Sequence, residues 1–292
     1  MLAVTYNIQW GKGRDGRIDL DRIARTVKDA DIIALQEVER NWREQDYPDQ
    51  AGRLGELLPD YHWVYGPAVD LGGGSRNRRR QIGNMILSRS PISSTRTLPL
   101  PARAVHGHVN DQQSMIEAVV ERGEGLRVYN LHLNYLSQHQ RLEQIRFVTD
   151  FVTEAPARGG AITMPGKAAL GPEDAWVVLP GGKLPAMPRA AVLLGDFNAG
   201  PAGPEYSLIT GELIPGSGRA AGANRFADVL TLAGMREDEG VTFPASGGEP
   251  AQRLDHCFVS NDLIARVKRA WIDEEAVGSD HQPVWVELST DA

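Results

Sequence analysis

The stretch AAVLLGDFNAGP, residues 190–201, decides how this chain is read. An apolar run leads through Gly195 to Asp196, Phe197 and Asn198, and Gly200-Pro201 ends it. A short apolar run closed by turn residues has the pattern of a buried strand. Ending a buried strand on an acid is costly unless the acid meets a partner or a ligand. Side chains repeat every two residues along a strand, so Asp196 and Asn198 are expected on one face of one strand end.

The same pattern recurs along the chain. Asn7 closes the first apolar run, and Glu37 closes IIALQE. Asn84 lies in IGNMILS, His132 in YNLHL, Asp255 after Arg253-Leu254, and Asp280-His281 in GSDHQP. So many polar groups at the ends of apolar runs imply one shared site. Between these runs, residues 19–30 carry Leu20, Ile23, Ala24 and Val27 at helical spacing. Residues 137–152 form an amphipathic helix with Leu142, Ile145, Phe147 and Val148 expected inward, and shorter helices are expected at 50–58 and 204–210. Residues 113–121 and 125–133 pair naturally as adjacent strands. Residues 72–80 read as a loop, and 155–190, rich in Ala, Gly and Pro, as an insertion with a small hairpin at 175–184. Strands outnumber helices in a mixed order, which fits an α/β sandwich.

Composition sets outer bounds. The 292 residues carry a formal charge of −7 and one cysteine, Cys257. No apolar run approaches a membrane span, and the N-terminal residues read as a first strand rather than a leader, so a cytoplasmic protein is expected. One cysteine allows no internal disulfide and no thiolate metal cluster. An acidic chain argues against a large nucleic-acid footprint, with RNRRR at 76–80 a local exception.

Taken in order, TYNIQW, IIALQEVE, IGNMILSRSPI, VYNLHL, LLGDFNAGP, RLDHCFVS and SDHQPVWVEL resemble the motifs of the endonuclease/exonuclease/phosphatase superfamily, of which DNase I is a member. The resemblance implies an α/β, four-layer sandwich of two packed mixed β-sheets flanked by helices, as one domain over residues 1–292 with the insertion near 155–190. It implies Glu37 as the principal ligand of Mg²⁺ or Mn²⁺, with Asn7 beside it and Asp280 near the metal. Asp196 would orient or deprotonate the attacking water. Asn198 and His132 would contact the phosphate, His281 would contact it or act as acid/base, Asp255 would orient His281, and Asn84 would support the phosphate site. The residue types suit the chemistry. A hard cation takes oxygen ligands and neutralises phosphoryl oxygens, and an Asp–His pair fixes an imidazole's tautomer. His256, next to Asp255, should point to the opposite face.

The expected activity is Mg²⁺- or Mn²⁺-dependent hydrolysis of a phosphoester by in-line attack of water, foremost a small-molecule or lipid-derived phosphodiester. A nuclease acting on DNA or RNA is the alternative, and nucleic acid is not the favoured partner. Selectivity is expected in loops 40–50, 70–80, 102–113 and 155–190. Oligomeric state is not legible.

Overall fold

A computed structural model of the chain describes residues 1–42, 48–73, 78–163, 171–177, 187–220, 222, 224–245 and 248–289. The strands are, in chain order, β1 (Leu2–Asn7), β2 (Ile32–Arg40), β3 (His62–Leu71), β4 (Arg80–Ser88), β5 (Ile92–Pro99), β6 (Ser114–Val120), β7 (Leu126–His132), β8 (Ala191–Asp196), β9 (Leu213–Ile214), β10 (Gly218–Arg219), β11 (Phe226–Asp228), β12 (Asp255–Ser260), β13 (Val267–Ile272) and β14 (Val284–Leu288). The helices are α1 (Leu20–Val27), α2 (Gln50–Leu57), α3 (Gln138–Arg158), α4 (Pro204–Thr210) and α5 (Val229–Leu232). Two six-stranded mixed sheets run in the orders β13-β14-β1-β2-β4-β3 and β11-β12-β8-β7-β6-β5.

Strand alternation explains how the layers pack. Ala3, Ile32, Ala34, Ile86, Val128, Val192, Leu194, Cys257 and Val259 lie between the sheets. The residues next to them face the helices. Val4, Tyr6, Ile33 and Leu35 meet α1 and α2 through Leu20, Ile23 and Leu54. Tyr129, Leu131, Leu193 and Phe258 meet α3 and α4 through Ile145, Val148 and Ile209. This is the four-layer arrangement the resemblance implied. No described helix is long and apolar enough to cross a membrane.

The inner rows turn polar at one end of the sandwich. Ala3 and Thr5 lead to Asn7; Ile32 and Ala34 lead to Gln36; Val128 and Asn130 lead to His132; Val192 and Leu194 lead to Asp196; and Val259 and Cys257 lead to Asp255. Two parallel pairs, β1 with β2 and β7 with β8, end together at this edge. Gly195 allows the approach of β7 to β8. A Cβ there would lie 2.0 Å from the Leu131 carbonyl oxygen.

Some expectations need correction. In α3, Ile145 and Val148 are buried as expected, but Leu142 and Phe147 are only partly buried, and Gln140 and Gln144 are buried instead. Their amides bond the neighbouring chain. Gln144 Oε1 accepts from Asn134 N at 2.9 Å and Gln140 Oε1 from Arg103 N at 3.0 Å. The 155–190 segment opens inside α3, which runs to Arg158, and Pro172–Val177 form a 3₁₀ turn where the hairpin was to begin. Residues 164–170 and 178–186, including the rest of that hairpin, lie outside the described residues, as do 74–77 of the 72–80 loop.

Candidate active site

Asp196 stands at the centre of the polar edge. Its register partner on β7 is His132 and on β12 is Asp255. Its Oδ2 accepts from Asn7 Nδ2 at 2.9 Å and lies 3.5 Å from His132 Nε2 and 3.8 Å from His281 Nε2. Asn7 Nδ2 also donates to Glu37 Oε1 at 3.1 Å, so one amide joins a carboxylate from each sheet. Asp255 Oδ2 lies 2.7 Å from His281 Nδ1, which leaves Nε2 facing Asp196. The Phe243 ring packs against the His281 imidazole at 5.1 Å.

Two of these residues hold unusual backbone. Glu37 has φ 59° and Asn198 φ 48°. Asn enters this region readily, whereas Glu does so rarely. At Glu37 the cause is visible. The β2–β4 register slips between Leu35 and Val38, a β-bulge that re-aims the side chain. Asn198 is not on β8. The strand ends at Asp196, and an Asx turn follows, with Asn198 N donating to Asp196 Oδ1 at 2.8 Å. The side-chain amide of Asn198 donates to Leu133 O at 2.9 Å. The two residues therefore meet through a turn, and strand alternation does not account for their placement.

Electrostatics follow from burial and crowded carboxylates. Burial raises the pKa of Glu37. Burial, with Asp196 nearby, raises that of Asp255. Burial alone would lower the pKa of His281, but Asp255, Asp196 and Asp280 override it and raise it to about 10. This direction favours the protonated imidazole, the form that donates a hydrogen bond. His256 does face away. Its Nε2 pairs with Ala199 O at 2.9 Å, and burial lowers its pKa to about 4.

Four carboxylates, Glu37, Asp196, Asp255 and Asp280, share this edge with His132 and His281. That excess of buried negative charge and the oxygen-rich donor set fit a hard divalent cation. Ligand atoms of Asp196, Asp255 and His281 lie within 4.8 Å of one another, the one such group among the described residues. Asp255 and His281 already spend atoms on each other, which favours the Glu37 side for a cation. Asn7 points its NH₂ at both carboxylates, and its Oδ1 accepts from Gln9 N at 3.1 Å. In this orientation it clamps the acids, and a ligand role needs a half-turn of the amide. Asp280 is tied to Gln9 Nε2 and Ser279 Oγ.

Asn84 reaches across the sheets, donating to Ser114 O at 2.9 Å, and lines a cleft with Glu37 and His132. Three supporting residues escaped the sequence reading. Asn130 Nδ2 donates to Leu35 O at 2.9 Å and Met85 O at 2.8 Å, carbonyls at the edge of the Glu37 bulge. Gln36 Nε2 donates to Asn130 Oδ1 at 2.7 Å and Thr5 Oγ1 at 3.0 Å. Thr242 Oγ1 accepts from Leu254 N and Asp255 N. Inward position on the alternating strands could have found Asn130 and Gln36, since both fall on the apolar face.

No curated protein matches the chain. Solved structures share the fold. One is an endonuclease/exonuclease/phosphatase from Beutenbergia cavernae, at 21% identity and TM-score 0.63, covering 99% of this chain and 72% of that one. Another is a mannosyl-6-phosphatase from Bacteroides thetaiotaomicron, at 20% identity and TM-score 0.62, covering 99% of each chain. A third is a 3′ phosphatase from Neisseria bound to product DNA hairpin, at 20% identity and TM-score 0.54, covering 99% of each. The model of the Endonuclease/Exonuclease/phosphatase family matches residues 4–281. The chain belongs to that family and is a phosphoester hydrolase.

Proposed function

We propose that the chain hydrolyses a small or lipid-derived phosphoester, foremost a phosphodiester, with Mg²⁺ or Mn²⁺, by in-line attack of a water held at Asp196. The observation that carries this reading is the setting of Asp196, with Asn7, His132 and His281 around one carboxylate oxygen. Enzymes of the family depend on a divalent metal. Glu37, with Asp280 and a turned Asn7, would hold the cation, which when bound neutralises phosphoryl oxygens. Asp196 orients the water and takes its proton as the oxygen bonds to phosphorus. His281, kept charged by Asp255, donates to one non-bridging phosphoryl oxygen, and Asn198 and His132 hold the other. The ester oxygen then leaves.

Charge favours a compact substrate over nucleic acid. Several arginines are already paired, Arg79 with Asp70 at 2.6 Å, Arg103 with Glu143 at 2.6 Å and Arg141 with Glu205 at 2.9 Å. A panel of bis-p-nitrophenyl phosphate, lipid and sugar phosphoesters, DNA and RNA, assayed with Mg²⁺ or Mn²⁺, tests the reading. Cleavage of the small esters is expected, and Asn198→Ala and His281→Ala should each cost ~10²–10⁴-fold in kcat. Cleavage of nothing in the panel, or wild-type rates in both variants, would refute it.

A further inference from the structure

The loop joining β5 to β6 carries a carboxylate that this chemistry does not use. Asp111 lines the same cleft as Glu37, Asn84 and His132, a recess of about 20 Å³ that takes one water-sized group such as a hydroxyl. Its Oδ1 is buried and accepts no hydrogen bond. The chain on either side is pinned. Asn110 Oδ1 accepts from Asn134 Nδ2 at 2.6 Å, and Asn110 Nδ2 donates to Arg103 O at 2.7 Å. Gln112 Nε2 donates to Leu100 O at 2.6 Å. These bonds keep Asp111 at the cleft.

A buried acceptor without a donor is costly, and the cost is recovered when a ligand brings one. A phosphate oxygen cannot, because it carries the same charge. A quaternary ammonium has no N–H and is recognised by the faces of Trp, Tyr or Phe, and none of these lines the cleft among the described residues. A hydroxyl group fits. We propose that Asp111 marks a hydroxyl-binding subsite, accepting hydrogen bonds from a sugar or polyol whose phosphate is held by Asn198 and His281. This inference rests on the phosphoester-hydrolase reading and narrows its substrate to polyol phosphoesters. Sites built around a substrate hydroxyl discriminate strongly against analogues that lack it.

The test compares wild type, Asp111→Ala and Asp111→Asn at fixed Mg²⁺. Calorimetry measures binding of glucose 6-phosphate and of phenyl phosphate, and turnover of both is followed in parallel. Asp111→Ala should weaken glucose 6-phosphate about 10-fold or more and leave phenyl phosphate within about twofold. Asp111→Asn, which keeps an acceptor oxygen, should recover part of the loss. Equal weakening of both ligands, or of neither, overturns the subsite. So does a raised Mg²⁺ requirement with phenyl phosphate in Asp111→Ala, which would make Asp111 a cation ligand. If wild type turned over neither monoester, cleavage of bis-p-nitrophenyl phosphate would still decide the hydrolase reading, and the binding contrast would still decide the role of Asp111.

Discussion

Asp255 touches His281 and stands behind it from the reacting atoms, so its effect should be seen through the imidazole. With a proton needed on His281, activity falls as pH rises through its pKa. Asp255→Asn removes one of the charges that raise this pKa, and burial then pulls it down. The alkaline limb of kcat/KM against pH should move to lower pH, with a rate loss of ~10–100-fold at neutral pH. A rate loss with the limb unmoved would show that Asp255 only props the structure. At this scale much was legible in the sequence. Asn7, His132, Asp196 and Asp255 sit where two-residue alternation places them, at the polar ends of apolar rows. Asn198 was legible as a residue type but not as geometry. Its left-handed backbone and Asx turn belong to the Asp-Phe-Asn-Ala-Gly-Pro chemistry that strand periodicity overlooks.

At the scale of elements, the bulge in β2 sets the direction of Glu37, and Asn130 holds the bulge. Asn130→Ala would leave the Leu35 and Met85 carbonyls without their side-chain donor and take from Gln36 one of its acceptors. Unpaired buried groups cost ~1–3 kcal/mol each, so for the two carbonyls a loss of about 2–6 kcal/mol is expected from urea unfolding. The half-saturating Mg²⁺ concentration should also rise as Glu37 loses its support. A variant as stable as wild type would show that the bulge holds itself. Alternation puts Gln36 and Asn130 on the inner face, but a register slip leaves no periodic mark, so the bulge they hold was not legible. The glutamines of α3 were missed because their burial depends on loop carbonyls and amides that only the fold brings near.

For the whole molecule, motif order made the layers legible, since each apolar run ending in a polar residue supplied one strand of the shared edge. The stretches near 164–170 and 178–186 had no such periodicity to read. The acids crowded at that edge oppose folding until a cation offsets them. Saturating Mg²⁺ at about 100 times its Kd should stabilise the protein by ~2.7 kcal/mol, raising the melting temperature by about 5–10 °C. Glu37→Gln should remove most of that rise, and a melting temperature indifferent to chelator would contradict it.

Asn130 and Asn84 each cross from one sheet to the other, so the two halves of the sandwich are bolted at their midline and cannot part like covers of a book. Reactant and product must come and go over the rim. Loops bordering that rim can then be lengthened or recut over evolutionary time without loosening the reacting groups.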